Sequence, residues 1–209
     1  RVFAEANPDA TAQTLREAWD ELAVCRERMQ VCSLALAPLL DRYVQQKAAW
    51  NLADYTDLLE FWLEQIHNGL YVPPWRHVLV DEIQDLSPLQ LALVRALLPP
   101  GGEGFFGIGD PDQSIYGFRG AHGDVKGALD EAWPGLSVVT LRANYRSSAS
   151  VLDAAGALME GRSACGRLRA VRDLPADIRL FEAPSAESEA AWIGDRIRSL
   201  IGSTAHTLV

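Results

Sequence analysis

Arg76-His-Val-Leu-Val-Asp-Glu-Ile-Gln-Asp85 is the stretch whose reading decides the fold of this chain. A short apolar run that stops in acids is the pattern of a buried parallel strand, covered on both faces, whose C-terminal edge meets a ligand. Directly after it, Ser87 and Gln90 stand at capping-box spacing and Pro88 falls at the first helical position. A helix is therefore expected to about Leu98, where Pro99-Pro-Gly-Gly102 ends it. The order then repeats, with strand 104–108, a helix from Asp124 to Trp133 and strand 137–141. Strands that alternate with helices in this way argue for α/β architecture with a parallel sheet.

Toward the N-terminus the pattern becomes purely helical. Thr14 to Ala49 is rich in Ala, Leu, Arg, Glu and Gln, with Leu15, Trp19 and Leu22 at helical spacing, and an interruption is expected near Pro38. Leu59, Trp62, Leu63 and Ile66 mark a second amphipathic helix closed by Gly69, and Pro73-Pro74 separates it from the strand. Toward the C-terminus a helix from Ser147 to Met159 is followed by the Arg-rich stretch 161–172, a strand 178–182 and a helix 187–201 carrying Ile193, Ile197, Leu200 and Ile201 inward.

A net charge of −9 argues against a broad basic surface for nucleic acid, so any such contact must be local. No apolar run is long enough to span a bilayer, and three cysteines without a signal-like segment point to the reducing cytoplasm. Cys25 and Cys32, seven apart, would share a helix face, and with no partner pair at zinc spacing they read as core packing. Arg1 is not an initiator methionine and the chain stops directly after a helical pattern, so an internal fragment is expected.

Chemistry concentrates at the strand ends. Asp81 and Glu82 offer the two carboxylates that phosphoanhydride hydrolysis requires, one to hold Mg²⁺ and one to polarise water, with strand alternation pointing them apart. Solvated strand-end acids are the open alternative. Gly109-Asp-Pro-Asp-Gln113 is a polar loop at the edge of the next strand, where Gln113 could sense a γ-phosphate. Tyr116 and Phe118 flank Gly117 and precede Arg119, a group suited to stacking bases and contacting a phosphate; equally, the rings could plug a core beneath the loop. Asn144-Tyr-Arg146 ends a strand just before the Ser147-Ser148 helix start, which makes Arg146 a candidate arginine finger or a plain surface cation, and Tyr145 a site residue or hinge packing.

Val80-Asp-Glu-Ile-Gln-Asp85, Gly109-Asp-Pro-Asp-Gln-Ser-Ile-Tyr-Gly-Phe-Arg-Gly-Ala121 and Leu141-Arg-Ala-Asn-Tyr-Arg-Ser147 together resemble motifs II, III and IV of superfamily 1 DNA helicases of the UvrD, Rep and PcrA kind. Asp54-Tyr-Thr-Asp-Leu-Leu59 resembles the acidic-aromatic segment that precedes motif II there. Phe118 stands where many members carry Trp, which keeps a stacking face. The resemblance implies a P-loop NTPase (RecA-like) fold in three parts: a helical subdomain 1–72, the C-terminal part of a first motor domain 73–145, and the start of a second, 146–209. It implies ATP and Mg²⁺ as cofactors, with Asp81 the metal ligand, Glu82 the general base, Gln84 and Gln113 coupling nucleotide to DNA, Tyr145 stacking on adenine and Arg146 contacting the γ-phosphate. Tyr116, Phe118 and Arg119 would hold single-stranded DNA. The implied activity is ATP-driven translocation and duplex unwinding in repair or recombination. Its implied partners are single-stranded DNA, duplex junctions and repair or recombination proteins, with no membrane.

No Gly-x-x-x-x-Gly-Lys-Ser/Thr phosphate loop occurs in these residues. The competing reading is a helicase-like relic acting as a DNA-binding or protein-interaction scaffold, and a third assigns the motor to a helicase-nuclease complex. The expected outcome of an ATPase assay on these 209 residues alone is no measurable turnover.

Overall fold

The computed structural model describes residues 1–161, 163, 166–172, 176 and 178–203, apart from the side chains of Arg119 and Ser203. Its architecture is α/β, mostly helical, with two small parallel sheets. Two compact units emerge, one of residues 1–141 with 159–167 and one of residues 142–158 with 168–209.

The first unit begins with α1 (Val2–Ala6), α2 (Ala12–Glu27), α3 (Ala37–Trp50) and α4 (Tyr55–His67). Pro38 opens α3 rather than interrupting a longer helix, because proline is tolerated in a first turn where no backbone donor is needed. The break comes earlier, at Met29, whose left-handed φ of 55° turns the chain out of α2 while Gln30 N donates to the Cys25 carbonyl at 2.8 Å. Cys32 consequently lies beyond α2 and shares no helix face with Cys25. It packs against the cluster of Phe3, Ala18, Leu22 and Tyr43, and burial first, then its neighbour Cys25, pushes its thiol up to about 11. Phe3, Trp19 and Tyr43 meet pairwise at 5.5–5.6 Å, the tilted and edge-on geometry that aromatic quadrupoles favour.

An ionic junction welds these helices together. Asp54 caps α4 and closes a capping box with Asp57. Lys47, only 6% exposed, donates to Asp54 Oδ2 at 2.8 Å and to Asp57 Oδ1 at 2.6 Å. Arg26 donates to Asp54, Asp57 and Glu60, and the Tyr43 hydroxyl to Asp54 Oδ2 at 2.8 Å. Partial burial works against ionisation of Asp54, but Lys47, the Asp57 amide, Tyr43 and Arg26 together hold its carboxyl well below the usual range. Asp57 is lowered in the same way against the same opposition from burial.

Next come β1 (Val78–Val80), α5 (Pro88–Ala96), β2 (Phe105–Gly107) and α6 (Val125–Ala132). Ser87 and Gln90 form the expected capping box and Asp124 caps α6. β1 and β2 pair in parallel with Val78 opposite Phe105 and Val80 opposite Gly107. Leu91, Leu98, Val125, Leu129 and Trp133 form the core under this ladder, with Phe105 set 4.8 Å from Trp133. α4 packs on α5 through Leu63, Leu89 and Leu93.

In the second unit β3 (Ala143–Asn144) pairs in parallel with β4 (Arg169–Ala170), alongside α7 (Ala149–Leu158) and α8 (Ala186–Ser203). The expected strands 137–141 and 178–182 do not form: neither stretch finds a ladder partner among the described residues, and Val139 and Leu180 are 78% and 98% exposed. The inward stripe expected on α8 is also corrected, since Ile193, Ile197, Leu200 and Ile201 are each 43–55% exposed, and the helix instead stacks Trp192 on Phe181 at 4.3 Å. Arg162 and Cys165 of the Arg-rich stretch lie outside the described residues.

Because the folded-state pKa values of Asp54 and Asp57 are depressed, their contribution is complete above the unfolded value near 4 and is lost as pH falls through the folded values. Asp54→Asn is expected to cost about 3 kcal/mol near neutrality, where it leaves Lys47 under-compensated. Urea unfolding at about pH 6 and about pH 3 should show that gap narrowing at the acid end; a gap that stays constant would remove the junction from the acid response.

Candidate nucleotide and nucleic-acid site

Two loops leave the same edge of the β1–β2 ladder. The pairing continues one step past the strands, where Ile108 N donates to the Val80 carbonyl at 2.9 Å and Ile83 N to the Ile108 carbonyl at 3.0 Å. Register alone therefore brings Asp81 and Glu82 beside Gly109–Gln113, as parallel neighbours at a C-terminal edge must be.

Strand alternation does not orient the two acids, contrary to the sequence expectation. β1 ends at Val80, and Glu82 adopts left-handed angles (φ 51°, ψ 45°) as it leads into a 3₁₀ turn at Ile83–Asp85. Glu82 N donates to Asp81 Oδ1 at 2.9 Å, and both side chains are exposed. The turn swings Gln84 inward, where it is 5% exposed. Its Nε2 donates to Glu82 Oε2 at 2.8 Å while its Oε1 accepts from Asp110 N at 3.0 Å, and its carbonyl accepts from Ser114 Oγ at 3.2 Å. One amide thus fixes a carboxylate of the first loop and the backbone of the second.

Gly109 is required by this contact. A Cβ there would stand 2.5 Å from Gln84 Oε1 and 2.7 Å from Ile83 Cγ1. Asp110, which sequence reasoning passed over, organises the second loop: its Oδ1 accepts from Asp112 N at 3.0 Å and its Oδ2 from Gln113 Nε2 at 2.7 Å. The signal for it was present in Asp110-Pro111, an Asx-turn start.

Further along, Tyr116 and Phe118 sit 6.1 Å apart with planes tilted by 43°. Phe118 is 71% exposed, so it does not plug a core; Tyr116 is 36% exposed. The Arg119 side chain lies outside the described part of the structure. In the second unit Asn144 Oδ1 accepts from Arg146 N at 2.9 Å and Ser147 N at 2.7 Å, an Asx turn. Buried Ser148 follows at the start of α7, its Oγ accepting from Val151 N at 3.4 Å. Tyr145 is 64% exposed and Arg146 is also at the surface.

Asp81 is the carboxylate at this edge that could hold a hydrated Mg²⁺. Among the described residues no cluster of three or more His, Cys, Asp or Glu could enclose a metal ion. Mg²⁺ needs none, since it binds through one or two carboxylates with the rest of its shell from phosphates and water, and exposed Asp81 meets that requirement. No helix among the described residues is long and apolar enough to cross a membrane.

Residues 8–131, more than half of the chain, match the family described as the UvrD/REP helicase N-terminal domain. Similar curated proteins include "ATP-dependent DNA helicase srs2" of Schizosaccharomyces pombe, 36% identical over 165 residues that cover 76% of this chain and 18% of that protein. "DNA helicase II" of Salmonella typhimurium is 39% identical over 160 residues, 71% of this chain and 22% of the relative. "ATP-dependent DNA helicase UvrD1" of Mycobacterium tuberculosis is 30% identical over 181 residues, 79% and 23% respectively. The chain spans about a fifth of the length of these relatives.

Gln84→Ala removes both ties from a buried position, which should cost about 2 kcal/mol in urea unfolding. Gln84→Glu should cost at least as much by setting a carboxylate against Glu82. A change under about 0.5 kcal/mol in both would show that the two loops do not depend on this side chain.

Proposed function

The chain belongs to the UvrD/REP helicase family, and from that premise we propose that it is part of a RecA-like, ATP-dependent DNA motor that translocates on single-stranded DNA and unwinds duplexes in repair or recombination. The observation that carries this reading is the Gln84 amide, which joins the Asp81–Glu82 loop to the Gly109–Gln113 loop at one sheet edge. Hydrolysis of a phosphoanhydride is mostly positioning and electrostatics, and two tied polar loops at a strand edge support that use.

In the proposed mechanism Asp81 would hold Mg²⁺, which when bound would neutralise charge on the phosphates. Glu82 takes the proton from the attacking water, and Gln84 keeps its carboxylate in place through Oε2. Gln113, anchored to Asp110, reports the state of the γ-phosphate, and with Gln84 it couples nucleotide to DNA. Tyr116, Phe118 and Arg119 receive the strand by base stacking and a phosphate contact. Tyr145 and Arg146 of the second unit keep the roles of adenine-stacking ring and γ-phosphate cation. Partners of the whole protein are then single-stranded DNA, duplex junctions and other repair or recombination proteins.

The test is ATP turnover by the full-length reading frame with and without single-stranded DNA. Strong stimulation is expected, and Glu82→Gln should lower turnover by about 10²- to 10⁴-fold while ATP binding persists through Asp81. Turnover unchanged by Glu82→Gln would remove the general base, and absence of turnover in both proteins would leave a DNA-binding or interaction scaffold.

A further inference from the structure

We propose that Glu27 and Arg28, at the C-terminal end of α2, form a bracket that holds the Tyr116–Phe118 turn ready for single-stranded DNA, with Arg28 as its positioning residue; this rests on the DNA-motor reading above.

Arg28 Nη2 donates to the carbonyl of Gly117, the residue between the two rings, at 3.2 Å. The same carbonyl accepts from Gly120 N at 3.1 Å, and Ala121 N donates to the Tyr116 carbonyl at 3.3 Å. The peptide that joins Gly117 to Phe118 is therefore held from inside the turn and from α2. Gly120, at φ +91°, brings the backbone against the same helix end, where a Cβ would meet Glu27 Cβ at 3.0 Å.

Glu27 is itself fixed from two directions. Its Oε1 accepts from Thr56 Oγ1 of α4 at 3.2 Å, and its Oε2 accepts from Ser87 Oγ, the cap of α5, at 2.5 Å. Ser87 follows Leu86, whose carbonyl accepts from His122 N at 2.8 Å, just past the aromatic turn. The turn is thus pinned on one flank to α2 and on the other to the segment that begins at Asp81.

Exposed rings on a turn with glycines at 117 and 120 lose orientational freedom when a base stacks on them, and that loss weakens binding. Holding the Gly117 peptide beforehand removes part of the cost. Arg28 would then act through Phe118 and Tyr116 rather than on the DNA itself.

The experiment measures fluorescence anisotropy of a labelled oligothymidylate bound to the full-length reading frame. Arg28→Ala should raise Kd about tenfold, and its melting temperature should stay within about 2 °C of wild type, as befits an exposed side chain. Arg28→Lys, which can still donate to the carbonyl, should stay within about threefold of wild type. In a Tyr116→Ala/Phe118→Ala background, Arg28→Ala should add less than about twofold, because the rings through which Arg28 acts are gone. The slope of log Kd against log salt should not change. An unchanged Kd, losses that multiply across the two sites, or a slope reduced by about one, as a direct phosphate contact gives, would each overturn the positioning role alone. A wild-type protein that does not bind the oligonucleotide would overturn the DNA-motor reading and this inference together.

Discussion

The buried carboxamide of Gln84 is the constraint on which the candidate site depends. A two-strand ladder only three residues long fixes where its loops begin, and the polar segments beyond it have no further ladder among the described residues to define them. Gln84 supplies that definition because an amide carries a donor and an acceptor on one planar group. Its donor end takes a carboxylate and its acceptor end a backbone N–H, so neither loop can shift without leaving a buried polar atom unpartnered. The other features follow from it: Gly109 must lack a side chain, Asp110 must present its amide, and Ser114 closes against the Gln84 carbonyl.

A second polar assembly organises the helical half of the first unit. Two cations, Arg26 and Lys47, meet three acids and a phenol where α2, α3 and α4 converge. Partial burial raises the cost of the charges, and the geometry offsets it because Arg26, Lys47, Asp54 and Asp57 each have several partners. The same α2 terminus then reaches the aromatic turn through Arg28. Helices that carry no proposed chemistry are in this way connected to residues that do.

Much of this was legible in sequence, and each failure has its own physical cause. Helix ends announced themselves through local chemistry, as at Ser87, Gln90 and Asp124, since a cap is made by residues three apart. The acids at the end of β1 and the loop at the end of β2 could be placed side by side because parallel strands leave their loops on one edge. Strands 137–141 and 178–182 misled because apolar, β-prone residues report a wish for burial, while a strand exists only with a partner. The Arg28–Gly117 bond and the Lys47 junction join residues 89 and 7–10 apart with no periodic signature, so no pattern in the chain could reveal them. The orientation of Glu82 was missed because one left-handed residue cancels the alternation rule.

That residue has an implication for anyone who engineers this chain. A glutamate held at φ 51° costs roughly 1 kcal/mol or more relative to a residue at ease there, and glycine or asparagine would relieve it. The same substitution would take from the buried Gln84 amide the carboxylate it bonds, a loss of about 1–3 kcal/mol, so relief of the backbone and loss of that bond oppose each other at position 82 and heat resistance alone would not select against glutamate there.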